Sequence, residues 1–178
     1  ALDRLNNPDA MNLGARRITI STVGLAPKIR QFADENTQYN LAISLHTVDD
    51  ELRSKLIPIN KRYPVDDLLE ACQYYVQKTH RRITFEYALI QGVNDAKDDA
   101  KALAEKLEDL LCHVNMIPLN PTGGYSEQPS NSEQVDAFCQ VLDEHHIPCT
   151  IRIRRGIEIQ AGCGQLATEN DKNYQPHQ

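Results

Sequence analysis

The sequence predicts an α/β fold built on a parallel sheet, which is either doubly wound or curled toward a barrel. Five short runs of apolar and β-branched residues are typical of buried strands, and helical patterns separate one run from the next. Such alternation favours parallel strands joined by right-handed crossovers. With 178 residues, 40% of them hydrophobic, the chain is long enough for one domain with its own core. Five strand–helix units are too few for a closed eight-stranded barrel.

The predicted strands succeed one another along the chain. They cover residues 17–22, 40–46, 82–90, 113–120 and 150–154. The segment before the first strand, residues 5–13, contains Pro and Asn and is interpreted as a loop that continues from an earlier element. We therefore expect the chain to be the back part of a larger protein, with its strand–helix units in residues 1–166. Residues 167–178 are polar and lack periodicity, which predicts a disordered tail.

Amphipathic helices are predicted between the strands. Residues 26–34 are weakly helical, whereas residues 65–78 carry an apolar stripe at helical spacing. Asn94 or Asp95 is positioned to cap a third helix, in which alanine and leucine recur every three or four residues. Ser130 and Glu133 have the spacing of a capping box ahead of a fourth helix.

The charge balance argues against a protein that binds polyanions through diffuse charge. Lys plus Arg number 19 and Asp plus Glu number 25, which gives a net charge of −6. Any contact with nucleic acid must therefore use a local patch. No apolar run approaches the roughly 18 residues of a membrane span, and the polar start lacks the pattern of a signal peptide. These features predict a cytoplasmic protein without membrane contact.

The five cysteines are predicted to be reduced thiols of an intracellular chain, since their number is odd. No pair has the short spacing of a zinc or iron–sulfur motif. Cys72 and Cys139 lie on apolar helical stripes, and Cys112 and Cys149 precede strands, so we expect these four to pack in the core. Cys163 differs, because a glycine flanks it on each side. It is interpreted either as an accessible nucleophile or as a flexible surface cysteine.

Polar residues follow most of the predicted strands, at the edge where parallel α/β folds place their sites. Ser21 and Thr22 end the first strand, and Ser44 and His46 lie on either side of Leu45 at the end of the second. Hydroxyl and imidazole groups suit hydrogen bonding to a polar small molecule better than capture of a metal. Thr22 fits a helix cap equally well, and His46 is either a ligand contact or a hydrogen-bonded structural residue.

Two basic clusters are candidates for contacts with phosphates. Arg152 and Arg154 share one face of the last predicted strand, and Arg155 follows them. The second cluster precedes the third strand and comprises Lys78, His80, Arg81 and Arg82. Clusters of this kind more often form a solvated face, and with aromatic residues at only 6% the pattern alone gives little support for RNA binding.

The order of several motifs resembles the RlmN/Cfr family of radical SAM methyltransferases over residues 12–166. The matching segments are residues 16–24, 41–46, 58–62, 86–87, 92–95, 113–121 and 163–166, together with Arg53. The resemblance implies a partial (β/α) barrel of the radical SAM type, of which only the later strand–helix units are present. It also implies S-adenosylmethionine and one [4Fe–4S] cluster as cofactors.

The resemblance also assigns roles to individual residues. The positions that contact S-adenosylmethionine in the family are matched by Ser21, Ser44, Leu45, His46 and Asn120. Cys163 matches the cysteine that is S-methylated, carries the methyl group and ends the reaction in a disulfide that must be reduced. The implied reaction methylates carbon 2 of adenine in 23S rRNA and tRNA. It implies an electron donor for the cluster and an intact enzyme that is a monomer.

The family's cluster-binding cysteines, spaced Cys-x3-Cys-x2-Cys, have no counterpart in this sequence. We therefore expect no metal ligands in this chain and no activity from this polypeptide alone. Three alternatives stay open. A Cfr-like enzyme would methylate carbon 8 of adenine. An α/β thiol enzyme would use Cys163 as nucleophile and His46 as base. A non-catalytic RNA-binding module would use Arg152, Arg154 and Arg155.

Overall fold

The computed structural model describes residues 2–35, 37–118 and 129–152, and these residues form a parallel sheet with helices packed against it. The sheet has five strands in the order β1-β2-β3-β4-β5, and each neighbouring pair is parallel. The strands are β1 (Thr19–Thr22), β2 (Asn40–Ser44), β3 (Ile83–Leu89), β4 (Cys112–Pro118) and β5 (Cys149–Ile151). The predicted α/β class is confirmed.

Six α-helices lie within the described part of the chain. They are α1 (Leu2–Asn6), α2 (Ala26–Asp34), α3 (Asp50–Leu56), α4 (Val65–Thr79), α5 (Lys97–Leu107) and α6 (Ser132–Glu144). Of these described helices, none is long and apolar enough to cross a membrane. The helix predicted over residues 26–34 is confirmed, and the one predicted over residues 65–78 extends by one residue.

Short helices occur where the sequence predicted none. The expected loop over residues 5–13 is wrong at its start, because α1 continues to Asn6. β1 begins two residues later than predicted, since Ala15–Arg17 form a 3-10 helix. α3, which follows β2, begins at Asp50 because the side chain of Asp49 caps it. This side chain accepts a hydrogen bond from the backbone N–H of Leu52 at 2.6 Å. A second 3-10 helix, Pro58–Lys61, follows α3.

β3 shows how the sheet divides its side chains between two faces. Its buried residues alternate with half-buried ones. The buried set, Ile83, Phe85, Tyr87 and Leu89, joins residues of α2, α4, α5 and α6 in the main hydrophobic core. We call the opposite side the open face and define it by the residues Ser44, Thr84, Glu86, Asn115 and Thr150, which share that side by strand register. These five residues give the open face a group of polar side chains.

α5 does not begin at the predicted cap. Ala96 is the residue that precedes it, and the carboxylate of Asp99 accepts a hydrogen bond from the Ala96 N–H at 3.0 Å. The side chains of Asn94 and Asp95 do not cap the helix, because they accept hydrogen bonds within the turn that precedes it. Asn94 Oδ1 accepts from the Ile90 N–H at 2.8 Å.

α6 also begins at a different residue from the one predicted. Asn131 is its N-cap, and its Oδ1 accepts a hydrogen bond from the Gln134 N–H at 2.8 Å. Ser130, the predicted cap, instead donates its hydroxyl to Asp95 at 2.6 Å. This contact ties the start of α6 to the turn before α5.

The prediction that all cysteines are separate reduced thiols is wrong for one pair. Cys139 on α6 and Cys149 at the start of β5 form a disulfide, with their Cα atoms 5.8 Å apart. Both are only partly buried and pack at the margin of the core. Cys72 and Cys112 are buried and free, as expected for core packing. Cys163 and the predicted tail, residues 167–178, lie outside the described residues.

Candidate functional site

The carboxyl ends of β1 and β2 border a shallow, open cavity of about 350 Å³. Its lining consists of Ser21, Thr22, Val23, Leu25 and Ser44. Ser21 and Ser44 come from different strands, and the parallel register brings both to the same edge of the sheet. The structure therefore places together two of the residues that the sequence selected as ligand contacts.

The turn after β1 has a backbone that requires glycine. Gly24 has φ of +106°, and a Cβ added there would lie 3.0 Å from Leu68 and 3.3 Å from Arg53. The Thr22 hydroxyl accepts a hydrogen bond from the Gly24 N–H at 3.2 Å. The N-cap position of α2 is occupied by Leu25, whose side chain makes no hydrogen bond. The helix-cap interpretation of Thr22 is therefore wrong, because Thr22 stabilises the turn instead.

Arg53 on α3 holds the two strand ends together, and it is 0% exposed. Its Nη2 donates to the carbonyl of Val23 at 2.8 Å and to that of Ser44 at 3.0 Å. Its Nε donates to the carbonyl of Leu45 at 3.1 Å. Its Nη1 donates to Asn60 Oδ1 at 2.7 Å. One guanidinium thus fixes the backbone on two sides of the cavity.

Asn60 links Arg53 to a carboxylate without direct contact between the two charges. The Asn60 amide donates from Nδ2 to Asp50 Oδ1 at 2.7 Å, and the same oxygen accepts from the Val65 N–H at 2.9 Å. Burial lowers the pKa of Arg53, and the nearby Asp50 acts in the opposite direction. Asp50 thus stabilises the buried positive charge through an intervening amide.

His46 has a left-handed backbone, with φ of +62°. Asn94 supports this conformation, because its Nδ2 donates to the carbonyls of His46 and Ala88 at 2.7 and 2.8 Å. The His46 ring is also engaged, since Nδ1 accepts a hydrogen bond from the Ala88 N–H at 3.0 Å. Burial, followed by the charge of Arg53, lowers the pKa of His46 to about 4.

These contacts fix the protonation of the imidazole. A ring whose Nδ1 accepts a hydrogen bond and whose pKa is about 4 is neutral at pH 7, so its proton is on Nε2. His46 can therefore donate a hydrogen bond from Nε2 but is poorly suited to remove a proton. This argues against the thiol enzyme in which His46 activates Cys163.

Leu45 contributes to the site through its backbone. Its side chain is 0% exposed and belongs to the core. Its N–H donates to the Glu86 carbonyl at 3.0 Å, and its carbonyl accepts from Arg53. Asn120 and Cys163, the remaining predicted site residues, lie outside the described part of the chain, as do Arg154 and Arg155.

Sequence reasoning gave no role to Arg53 or Asn60 and assigned Asn94 only a possible helix cap, yet all three position the site. All three are among the residues that carry the family resemblance, which was the only signal for their place in the site. Among the residues in the described ranges, no group of three His, Cys, Asp or Glu side chains is placed to hold a metal ion. The [4Fe–4S] cluster of the family therefore does not fit the described residues.

The second basic cluster lies at the other end of the sheet, where α4 ends and β3 begins. His80 follows α4 with φ of +54° and is exposed. Arg81 donates to the Asn40 side chain, and its Nε is buried without a partner in the described ranges. Lys78 and Arg82 are exposed. The cluster is thus remote from Ser21 and Ser44.

Comparison with curated proteins identifies close relatives, although no family model matches the chain. A probable dual-specificity RNA methyltransferase RlmN of Thermoanaerobacter sp. (strain X514) is 52% identical over 162 residues, covering 91% of this chain and 47% of that protein. The protein of the same name from Geobacillus kaustophilus is 51% identical over 170 residues, covering 94% and 46%. The chain thus spans about half the length of the curated relatives it matches.

Comparison with solved structures leads to the same group of enzymes. A radical SAM methyltransferase from Sphaerobacter thermophilus has a TM-score of 0.87 to this chain at 51% identity, over 90% of this chain and 47% of that one. A domain of a pyruvate-formate lyase-activating enzyme from Bacteroides vulgatus, 20% identical with a TM-score of 0.60, shares the fold alone. In fold and sequence the chain thus corresponds to about half of a radical SAM methyltransferase. Within that class, the chain belongs to the RlmN family.

Proposed function

We propose that this chain forms the part of a radical SAM RNA methyltransferase that binds the adenosyl group of S-adenosylmethionine. The complete enzyme would methylate carbon 2 of adenine in 23S rRNA and tRNA. The observation that carries the proposal is the cavity at the carboxyl edge of the sheet, which Ser21 and Ser44 line together. The names of the relatives, which are RNA methyltransferases, support the RNA substrates.

The residues around the cavity fit an adenosyl group. Two serine hydroxyls suit the hydroxyl and amine groups of a nucleoside, while Val23 and Leu25 offer apolar surface to a base. Arg53 holds the backbone of both strand ends, so the cavity does not depend on a ligand for its shape. His46 presents a neutral ring, which avoids repulsion of a positively charged sulfonium.

S-adenosylmethionine, when bound, supplies the methyl carbon. Carbon 2 of adenine lies between two ring nitrogens and is electron-poor, so it does not attack a sulfonium methyl group directly. We assign the transfer of the methyl group to Cys163, whose flanking glycines allow the sulfur to reach both cofactor and RNA. Asn120 is proposed to contact S-adenosylmethionine with the serines.

The location, oligomeric state and electron donor of the complete enzyme are proposed from the similarity to the RlmN family. The complete enzyme would act in the cytoplasm as a monomer, with an electron donor for a [4Fe–4S] cluster whose ligands lie outside the described residues. This polypeptide alone would be inactive, because it has no segment with the spacing that binds such a cluster.

The proposed function can be tested in a full-length chimera, in which this chain replaces the matching segment of the Thermoanaerobacter relative. We expect the reconstituted chimera to methylate carbon 2 of adenine in both RNAs. Cys163→Ala should abolish methylation of both RNAs but leave binding of S-adenosylhomocysteine unchanged, because the sulfur carries the methyl group and does not hold the nucleoside.

Cys139→Ser, which removes a sulfur on α6, is the matched control and should retain methylation. Methylation by the Cys163→Ala chimera would refute the carrier role. A product methylated at carbon 8 would favour the Cfr-like alternative instead.

A further inference from the structure

A row of polar side chains crosses the open face of the sheet at the level of Ser44. Ser44 on β2 is paired with Glu86 on β3, Glu86 with Asn115 on β4, and Asn115 with Thr150 on β5. Neighbouring parallel strands lie about 4.8 Å apart, so each member of the row is within reach of the next. The row therefore continues from the cavity wall across the sheet.

The carboxylate of Glu86 is oriented by a neighbour in this row. Its Oε2 accepts a hydrogen bond from Asn115 Nδ2 at 2.8 Å. Asn115 is itself oriented, since its Oδ1 accepts from the Thr150 hydroxyl at 3.4 Å. The Thr150 hydroxyl also lies 2.9 Å from His113 Nε2. The chain of contacts leaves Oε1 of Glu86 as the oxygen that Asn115 does not engage.

Glu86 forms no ion pair with a cation in the described part of the chain. The ion pairs among the described residues involve Glu51, Asp66, Glu70 and Asp98, all of which are exposed, and none includes Glu86. Glu86 is half-buried, and a carboxylate in such a position is stabilised by further hydrogen-bond donors. A ligand with a hydroxyl or amine hydrogen would supply one.

The backbone of Glu86 connects the carboxylate to the candidate site. Its carbonyl accepts hydrogen bonds from the N–H groups of Leu45 and His46, at 3.0 and 3.4 Å. The same residue thus fixes the segment after Ser44 with its backbone and presents an acceptor on the open face with its side chain. A nucleoside held at Ser44 would lie next to this acceptor.

We propose that Glu86 is a binding residue for the adenosyl group, with Oε1 accepting a hydrogen bond from one of its hydroxyl or amine hydrogens. Asn115 is the positioning residue that turns Oε1 toward the ligand. The proposal rests on the proposed function, because it takes the occupant of the cavity to be the nucleoside of S-adenosylmethionine. It also predicts which ligands the site prefers. A carboxylate at residue 86 favours a ligand with a hydrogen-bond donor at that position and disfavours one with an acceptor there.

Glu86→Gln tests the proposal because it preserves shape and removes only the acceptor. Asn115 donates to residue 86, so glutamine would keep its carbonyl oxygen toward Asn115 and turn its amino group toward the ligand. A donor would then meet a donor. We expect the dissociation constant for S-adenosylhomocysteine to rise at least about 10-fold in the full-length chimera, as for loss of a hydrogen bond to a charged group.

The double variant Glu86→Gln with Asn115→Asp is the matched rescue. The carboxylate introduced on β4 would accept from the glutamine amino group, which returns the glutamine oxygen to the ligand and restores the charge of the pair. We expect the dissociation constant to return to within about 3-fold of the unmodified chimera. Thermal unfolding of each variant checks that the fold is retained. Thr84→Val, one row away on the same strand, should leave binding unchanged.

The possible outcomes distinguish a failure of the role proposed for Glu86 from a failure of the proposed function. Unchanged affinity for S-adenosylhomocysteine in Glu86→Gln would overturn it, and an increase only in the KM for RNA would assign Glu86 to the target adenosine instead. Equally weak binding by the single and double variants would overturn the positioning role of Asn115. Failure of the unmodified chimera to bind S-adenosylhomocysteine or to methylate RNA would instead refute the proposed function.

Discussion

Arg53 and Arg81 carry the same guanidinium at opposite ends of the sheet, yet their surroundings differ. At the carboxyl end, Arg53 is fully buried and donates to three carbonyls and one amide oxygen. At the amino end, Arg81 is half-buried and donates to one side chain, Asn40. Arg53 therefore organises backbone, whereas Arg81 joins a solvated cluster.

Two histidines show the same contrast. His46 and His80 both have left-handed backbones, with φ of +62° and +54°. His80 ends α4 and is exposed, so its conformation only terminates a helix. His46 is held through its ring by the Ala88 N–H and through its carbonyl by Asn94. Convergent hydrogen bonds, and not charge or backbone strain, therefore distinguish the candidate site from the opposite end.

The largest effect is expected from Arg53→Met. Methionine fills a similar volume but leaves three carbonyls and the Asn60 amide oxygen without their donor. We expect the free energy of unfolding of the full-length chimera to fall by at least about 3 kcal/mol, measured by chemical denaturation. Binding of S-adenosylhomocysteine should weaken as well, because Val23 and Ser44 lose their common anchor.

Arg81→Met is the matched control, and its cost should stay below about 1 kcal/mol with binding unchanged. Equal destabilisation by the two substitutions would contradict the contrast between the ends of the sheet.

A somewhat smaller effect is expected from the titration of His46. Its pKa is lowered from 6.5 to about 4, so the unfolded chain binds the proton more tightly than the folded one. The contribution of His46 to stability is therefore full above about pH 6.5, declines as the pH falls toward 4, and totals about 3 kcal/mol. His46→Gln, which still accepts from the Ala88 N–H, should remove this part of the decline.

Denaturation at pH 7, 6, 5 and 4 measures the difference between the unmodified chimera and the variant. A pH profile that is the same in His46→Gln as in the unmodified chimera would show that the ring is not held neutral by the fold.

The sequence predicted the sheet well because its pattern is local. Residues 83–89 alternate between core and open face, and α4 shows a regular apolar stripe, so composition and spacing suffice. The short elements were missed for the opposite reason. α3 has seven residues, too few to establish a period, and its buried Arg53 reads as a surface residue.

Contacts that depend on the tertiary fold could not be predicted from the sequence. Cys139 and Cys149 are ten residues apart in sequence and meet only because β5 returns beside α6. Ser130 and Asn131 are both good N-caps, and the choice between them depends on Asp95, which attracts the Ser130 hydroxyl.

The candidate site was predictable in part. The motifs selected Ser21 and Ser44, and the parallel register explains why they meet. The protonation of His46 and the orientation of Glu86 depend on Ala88 and Asn115, which no local pattern connects with them.

The most direct test is hydrogen–deuterium exchange of the full-length chimera with and without S-adenosylhomocysteine. We predict slower exchange of backbone amides in residues 22–25 and 44–47, which border the cavity, with no change in residues 78–82 at the opposite end of the sheet. Protection confined to residues 78–82, or saturating ligand without any protection around Ser21 and Ser44, would contradict the placement of the nucleoside at the carboxyl edge.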